Sequence, residues 1–149
     1  MGDSKLSDDP ITVPIEVQFR DIDAFGLVNN AVYLSYLESA RIKYWLSMRG
    51  KCDLQDLNYV IAHVEIDYIS PSHLGEILQI GVRVSSMGKK SFTFEFCIVG
   101  PDPEHPGKDR LVARARSVQV LYNQETRQSM LISDALRTQI EKFEGRPLE

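Results

Sequence analysis

Two aspartates, a glycine and a pair of asparagines stand together where a strand-like pattern gives way to a helical one. The acids are Asp21 and Asp23, the glycine is Gly26 and the pair is Asn29-Asn30. An aspartate carboxylate can act as a general base or as a nucleophile. The first N–H groups of a helix have no partners within it and attract developing negative charge. A carboxylate beside a helix N-terminus therefore predicts attack on a carbonyl group.

The elements that flank this motif are a strand and a long helix. Alternating apolar and polar residues predict the strand at about Thr12–Arg20. The helix is expected to begin at Asn29 or Asn30, with asparagine as its N-cap, and to end near Arg49-Gly50. Apolar side chains cover much of its circumference, which is typical of a helix that a sheet surrounds.

The remainder of the chain is predicted to be largely β. Alternation places four strands at about Tyr59–Ser70, Glu76–Met87, Ser91–Val99 and Leu111–Tyr122, and a C-terminal helix at Ser133–Glu144 with Ser133 as its N-cap. The second and third of these strands are expected to form a hairpin. The result is an α+β fold: a five-stranded antiparallel sheet around one central helix. We expect a disordered tail at residues 1–11 and a single domain at 12–149. Open sheet edges favour dimerisation by strand pairing.

Two side chains outside the motif have alternative roles. His63 alternates with Ala62 and Val64, which are expected to face the core, so His63 lies on the opposite face. It is structural, or it belongs to a dimer interface or a pocket rim. Glu38 is expected to form an ion pair with Arg41, three positions along the helix. The alternative is a catalytic acid on this helix.

Composition and spacing exclude several classes of protein. A net charge of −4 argues against general binding to nucleic acid. No apolar run approaches the ~20 residues of a membrane span, and no secretory signal precedes the first strand. Cys52 and Cys97 are therefore expected to be free thiols of a cytoplasmic protein. The three histidines, at 63, 73 and 105, lack the spacing of a metal site, so no metal is expected.

Two segments carry a resemblance to a known family. They are F-R-D-I-D-A-F-G-L-V-N-N-A-V-Y, which ends at Tyr33, and D-Y-I-S-P, which ends at Pro71. With the order of elements, they resemble the hotdog-fold acyl-CoA thioesterases of the 4-hydroxybenzoyl-CoA thioesterase type, over about Pro14 to Tyr122. The resemblance implies a hotdog fold, hydrolysis of an acyl- or aroyl-CoA to the free acid and CoA, and no redox cofactor. It also implies a homodimer or a homotetramer with the site at the dimer interface.

The same resemblance implies roles for individual residues. Asp23 is the catalytic carboxylate, and the backbone N–H of Asn30 or a near neighbour polarises the thioester carbonyl. Lys89 and Lys90 contact the CoA nucleotide. Many relatives have histidine where this chain has Leu27, which makes the pocket of this chain more apolar.

Other motif residues keep two interpretations. Asp21 points away from Asp23 in an extended segment and is expected to be structural, through a turn hydrogen bond or an ion pair with Arg20 or Arg41. Asn29 is an N-cap or a substrate contact. Tyr33 belongs to the core or lines the acyl pocket.

Two routes for Asp23 and two rival functions remain open at this point. The carboxylate of Asp23 attacks the thioester directly to form a mixed anhydride, or it acts as a general base on water. A rival function is a non-catalytic hotdog module that binds acyl-CoA or an acyl carrier. A hydratase is weaker, because such hotdog enzymes typically pair aspartate with histidine, and no histidine follows Asp23 closely.

Overall fold

The structure, a computed structural model, describes residues 9–53 and 58–149. Its elements are β1 (Ile11–Glu16), a short 3-10 helix (Phe19–Asp21), α1 (Val32–Arg49), β2 (Tyr59–Tyr68), β3 (Ile77–Met87), β4 (Ser91–Pro101), β5 (Asp109–Asn123), β6 (Gln128–Ser129) and α2 (Asp134–Glu144). Residues 1–8 of the expected tail lie outside the described residues. Pairing of β1 with β3 begins at Ile11, so the sheet starts at the last residue assigned to that tail.

The strands form one antiparallel sheet in the order β1-β3-β4-β5-β2. The five predicted strands and both predicted helices are thus confirmed. A two-residue strand, β6, pairs with the end of β5 and was not predicted. The turn between β3 and β4 is closed by a hydrogen bond of 2.7 Å from Gly88 N–H to the Ser91 carbonyl, which confirms the predicted hairpin.

The core lies between α1, α2 and one face of the sheet. Phe92, Phe94, Phe96 and Ile98 of β4 are all buried, as their alternation predicted. The ring of Tyr44 on α1 makes edge-to-face contacts with Phe94 at 5.0 Å and with Phe143 of α2 at 5.1 Å between centroids. These contacts fix α1 and α2 against β4. None of the helices in the described part of the chain is long and apolar enough to cross a membrane.

The helix ends are partly as expected. Gly50 ends α1 in the left-handed conformation (φ 76°), and the Ser133 side chain caps α2 by accepting the Leu136 N–H. The predicted asparagine N-cap of α1 is wrong. The N-cap is Ala31, and its N–H donates to Oδ1 of Asn29 at 3.0 Å, so that side chain closes a turn before the helix.

The expected burial of β2 is also wrong. Ala62 and Val64, predicted to face the core, are exposed, and 38% of the Val64 surface remains accessible. The reason is the place of β2 at the sheet edge, while α1 packs against β1 and β3. An irregularity in the pairing with β5 falls between Ile61 and His63. β2 is therefore a ten-residue strand with little covering on either face.

Candidate active site

The chain between β1 and α1 is shaped by Asp21. Oδ2 of Asp21 accepts hydrogen bonds from Gln18 N–H and from the Tyr36 hydroxyl, each at 2.9 Å. Burial of the Tyr36 ring, with the neighbouring carboxylate, raises the pKa of its hydroxyl far above the usual value. The turn hydrogen bond expected of Asp21 is confirmed. The alternative ion pair with Arg20 or Arg41 is absent from the described residues.

Asp23 closes the next turn with one carboxylate oxygen. Oδ1 accepts the N–H groups of Phe25 at 2.8 Å and Leu27 at 3.3 Å, and the Asp23 N–H donates to the Leu27 carbonyl at 2.8 Å. Gly26 lies in this turn with φ 76°, a conformation that glycine adopts without strain. Within residues 9–53 and 58–149, Oδ2 of Asp23 has no hydrogen-bond or ion-pair partner. The carboxylate is exposed, fixed in orientation and free at one oxygen.

Among the residues that lead into α1, one backbone N–H has no partner in the described part of the chain. In the run from Val28 to Ala31, three of the four N–H groups donate to acceptors within the protein. The acceptors are the Ser72 carbonyl for Val28, the Asp21 carbonyl for Asn29 and Oδ1 of Asn29 for Ala31, at 2.9, 2.9 and 3.0 Å. The Asn30 N–H has no acceptor among the described residues. An unpaired N–H at a helix N-terminus is suited to bind an oxyanion.

A cavity of about 340 Å³ brings these groups together. Its lining consists of Asp23, Leu27, Val28, Asn30, Tyr33, Tyr68, Ile69, Ser70 and Pro71. Asp23, Asn30 and Tyr33 are therefore neighbours, as predicted for a site, whereas Asn29 is not among the lining residues. The ring of Tyr33 is buried in the core and also borders the cavity, so its place in the core is confirmed and its contact with an acyl group stays a prediction. Its hydroxyl lies 3.3 Å from Oγ of Ser72, and burial raises its pKa.

Tyr68 is a site residue that sequence analysis missed. Its hydroxyl donates to the Asn30 carbonyl at 2.9 Å, and its ring packs edge-to-face on Tyr33 at 5.4 Å. The D-Y-I-S-P segment pointed to this part of the chain. A strand pattern assigns a face to Tyr68 but cannot identify its partner 38 residues earlier.

An ion pair holds the loop beneath the cavity. The Arg110 guanidinium lies 2.7 Å from the Glu76 carboxylate and donates to the Pro71 carbonyl at 2.6 Å. Glu76 also accepts the His73 N–H at 2.6 Å. Burial raises the pKa of Glu76, but the hydrogen bonds from Arg110 and His73 outweigh it and hold the pKa below its usual value. The pair thereby fixes the loop whose Ser72 carbonyl binds the entry to α1.

The predicted CoA contacts lie at the other end of the sheet. β3 begins beside the cavity loop and runs eleven residues to the turn that carries Lys89 and Lys90. At ~3.3 Å per residue, that distance is roughly 35 Å. Both lysines are exposed, and Nζ of Lys90 lies 3.3 Å from Oγ of Ser129. A single copy of the chain therefore does not bring these lysines to Asp23.

The remaining candidates lie outside the cavity. Glu38 is exposed, and the ion pair predicted with Arg41 does not form in the described part of the chain, so that prediction is wrong. The reason is that Arg41 is 9% exposed and buried beside Tyr59, away from the surface that carries Glu38. His63 is exposed, 3.7 Å from the Glu65 carboxylate.

The cysteines and the possible metal ligands are dispersed over the described residues. Cys52 and Cys97 are both thiols, with no disulfide between them. Among the residues that the structure describes, no group of three or more His, Cys, Asp or Glu side chains could hold a metal ion.

Comparison with known proteins assigns the family. The sequence model described as the Thioesterase-like superfamily matches residues 17–140, which include the cavity and most of the sheet. The chain belongs to the thioesterase-like superfamily. A thioesterase from Thermus thermophilus, whose crystal structure contains coenzyme A and zinc, is 34% identical to this chain. The two align with a TM-score of 0.82 over 95% of this chain and 99% of that one.

Further comparisons give sequence relatives and a structure with the same fold. The acyl-CoA thioesterase YbgC of Haemophilus influenzae is 29% identical over 94 residues, 60% of this chain and 69% of that protein. The chain spans about half (55%) of the Helicobacter pylori proteins of the same name. The structure of 4-hydroxybenzoyl-CoA thioesterase from Pseudomonas sp. strain CBS-3 aligns with a TM-score of 0.76 at 19% identity, over 87% of this chain and 97% of that one. The hotdog fold and the thioesterase resemblance predicted from the motif are confirmed.

Proposed function

We propose that this hotdog acyl-CoA thioesterase hydrolyses an acyl- or aroyl-CoA in the Asp23 cavity, releasing the free acid and CoA. One observation carries the proposal: a carboxylate with a free oxygen and an unpaired backbone N–H border the same cavity. The first supplies a base or nucleophile, and the second supplies a donor for the oxyanion. Membership of the thioesterase-like superfamily supports the same conclusion.

The Asn30 N–H donates to the thioester carbonyl oxygen, and Asp23 acts on the carbonyl carbon by one of two routes. In the first, Oδ2 of Asp23 attacks, the C–S bond breaks, CoA leaves as a thiolate that takes up a proton, and water cleaves the mixed anhydride. In the second, Asp23 removes a proton from water while the water oxygen attacks. A single turnover in ¹⁸O-labelled water followed by mass spectrometry of the protein tests the first route. Anhydride cleavage at the Asp23 carbonyl leaves label in the protein, whereas general-base catalysis and anhydride cleavage at the acyl carbonyl both place the label in the released acid.

The acyl group occupies the apolar part of the cavity, against Leu27, Tyr33 and Ile69. Asn29 stabilises the backbone at the entry to α1, because its side chain accepts the Ala31 N–H. No redox cofactor takes part in either route.

The assembly that completes the site is a homodimer formed along β2, or a homotetramer of two such dimers. β2 is an uncovered edge strand of ten residues, which favours pairing with a second copy. Antiparallel pairing places the Tyr59 end of one β2 beside the Tyr68 end of the other. The turn with Lys89 and Lys90 lies at the Tyr59 end, so the turn of one copy comes to the end that carries Asp23 of the other. Two lysines there suit the phosphates of CoA.

The cellular location that we propose is the cytoplasm. Both cysteines are thiols, which fits a reducing compartment.

Hydrolysis of a panel of acyl-CoAs tests the proposal. The panel includes straight-chain acyl groups of increasing length and substituted benzoyl groups, and release of the CoA thiol is followed with a thiol reagent. We expect turnover of at least one member, at rates above those of a heat-inactivated control. Tight binding of acyl-CoA by calorimetry without any thiol release would instead support the non-catalytic binding module.

A further inference from the structure

The hydroxyl of Tyr68 joins the edge of the sheet to the entry of α1. It donates to the Asn30 carbonyl at 2.9 Å, across 38 positions of sequence. Tyr68 is the last residue of β2, is 50% exposed and borders the cavity that contains Asp23. The contact therefore reaches the residue whose N–H is unpaired, from within the site itself.

The Tyr68 contact holds the peptide group that follows Asn30, which joins the Asn30 carbonyl to the Ala31 N–H. The residues on either side are held by other bonds: Asn29 N–H donates to the Asp21 carbonyl at 2.9 Å, and Ala31 N–H donates to the Asn29 side chain at 3.0 Å. For Asn30 itself, the described residues supply a single hydrogen bond, the one from Tyr68. The Asn30 N–H belongs to the preceding peptide group, whose Asn29 carbonyl accepts the Val32 N–H at 2.9 Å. Without the Tyr68 bond, the ψ angle of Asn30, which joins the two peptide groups, has more freedom.

We propose that Tyr68 is a positioning residue whose hydroxyl holds the peptide group after Asn30 and, through the backbone at the Asn30 Cα atom, keeps the Asn30 N–H directed at the thioester carbonyl. This inference rests on the proposed role of Asn30. An oxyanion donor accelerates a reaction only when it is held in place beforehand. A displacement of ~1 Å in an active site can lower the rate on the order of 100-fold.

The chain contains a matched control for this hydroxyl. The rings of Tyr68 and Tyr36 both pack edge-to-face on Tyr33, at 5.4 and 5.7 Å between centroids. Both hydroxyls donate a hydrogen bond of 2.9 Å, but that of Tyr36 goes to the Asp21 carboxylate, outside the cavity lining. Tyr68→Phe and Tyr36→Phe therefore remove the same atom from two sides of one ring cluster.

Steady-state kinetics and thermal unfolding of the two variants test the proposal. For Tyr68→Phe we expect kcat to fall by roughly 10- to 100-fold, with KM and the melting temperature close to wild type. For Tyr36→Phe we expect a lower melting temperature and kcat within about 3-fold of wild type, because a partly buried carboxylate loses a hydrogen bond away from the cavity. A Tyr68→Phe variant with wild-type kcat would overturn the proposal. So would one that loses stability in place of kcat.

A spectroscopic readout separates this inference from the proposed function. In ¹⁵N-labelled protein, the Asn30 amide signal of Tyr68→Phe is expected to shift and broaden relative to wild type, while Tyr36→Phe leaves it in place. If wild-type protein hydrolyses no acyl-CoA, the proposed function fails, but a displaced Asn30 signal still supports the positioning role. An unchanged Asn30 signal contradicts that role whether or not the enzyme is active.

Discussion

The two ends of α1 are built in opposite ways. At the N-terminal end no side chain caps the helix, and the Asn30 N–H has no acceptor among the described residues. At the C-terminal end Gly50 takes the left-handed conformation, and its N–H donates to the Leu46 carbonyl at 2.7 Å. The Arg49 guanidinium lies 5.4 Å from the centre of the Trp45 ring. The second end has the features of a structural helix terminus, and the first does not.

This difference indicates which end of α1 is suited to bind a ligand. Buried backbone N–H groups are almost always paired in folded proteins, but Asn30 is exposed, so its N–H can bond to water until a substrate carbonyl replaces that water. At the entry to α1, three neighbouring N–H groups are paired and one is left open beside an exposed carboxylate. A substrate carbonyl would supply the acceptor that the Asn30 N–H lacks, whereas the Gly50 N–H already has its acceptor in the Leu46 carbonyl.

Removal of the Asn30 N–H tests the proposed role of the N-terminal end of α1. Replacing Asn30 by its α-hydroxy analogue turns the amide into an ester, which removes the donor and keeps the side chain. We expect kcat to fall by roughly 10² to 10³-fold, the usual effect of losing one oxyanion donor. Thiol release from the preferred acyl-CoA measures the change.

The same replacement at Gly50 is the control, because it removes an N–H that already has a partner, the Leu46 carbonyl. It is expected to lower the melting temperature and to leave kcat within about 3-fold of wild type. Equal loss of kcat at both ends of the helix would count against the assignment of the oxyanion site.

Loss of the Glu76 carboxylate tests how the loop beneath the cavity is held. Glu76→Gln should lower the free energy of unfolding by roughly 2 to 3 kcal/mol at pH 7, because the Arg110 guanidinium keeps no charged partner there. The pKa of Glu76 is below its usual 4.5 in the folded state, so its ionised form favours folding. Its contribution is complete above pH 4.5 and is lost as the pH falls through the lowered pKa.

Urea unfolding at pH 7 and at successively lower pH values measures that effect. The difference between wild type and Glu76→Gln is expected to shrink as the pH falls below 4.5. A difference that stays constant over this range would show that the charge of Glu76 does not stabilise the loop.

Gly50→Ala is expected to have the smallest effect of these substitutions. It tests whether the C-terminal end of α1 has a structural role alone. Alanine at φ 76° is strained, so we expect a loss of about 1 kcal/mol in unfolding free energy. The activity per folded molecule should stay at the wild-type level. A fall in kcat together with stability would mean that the two ends of α1 are coupled.

The sheet was predictable because its signal repeats along the chain. The phenylalanines of β4 alternate with polar residues, and the same period marks the other long strands, so each residue adds to one conclusion. The burial of β2 was not predictable in this way. Alternation around Ala62 and Val64 looks the same in an edge strand and in a covered one, and strand order is a property of the whole sheet.

The site was predictable only where its residues are neighbours in sequence. The resemblance of the D-x-D segment to the thioesterase family pointed to Asp23, and Asp23 lines the cavity. The start of α1 was misplaced because local preference favours asparagine as a cap, while hydrogen bonds to Ser72 and Asp21 decide the course of the backbone. The contact of Tyr68 with Asn30 has no local signature at all.

The exchange of Asp23 for asparagine tests the central claim most directly, with Asp21→Asn measured beside it. Asparagine keeps an oxygen to accept the Phe25 and Leu27 N–H groups, so the turn should persist, but it cannot act as base or nucleophile. We predict that Asp23→Asn lowers kcat by roughly 10² to 10⁴-fold at an unchanged melting temperature. Asp21→Asn should keep kcat within about 3-fold of wild type. Wild-type kcat in Asp23→Asn, or an equal loss in both variants, would contradict the account.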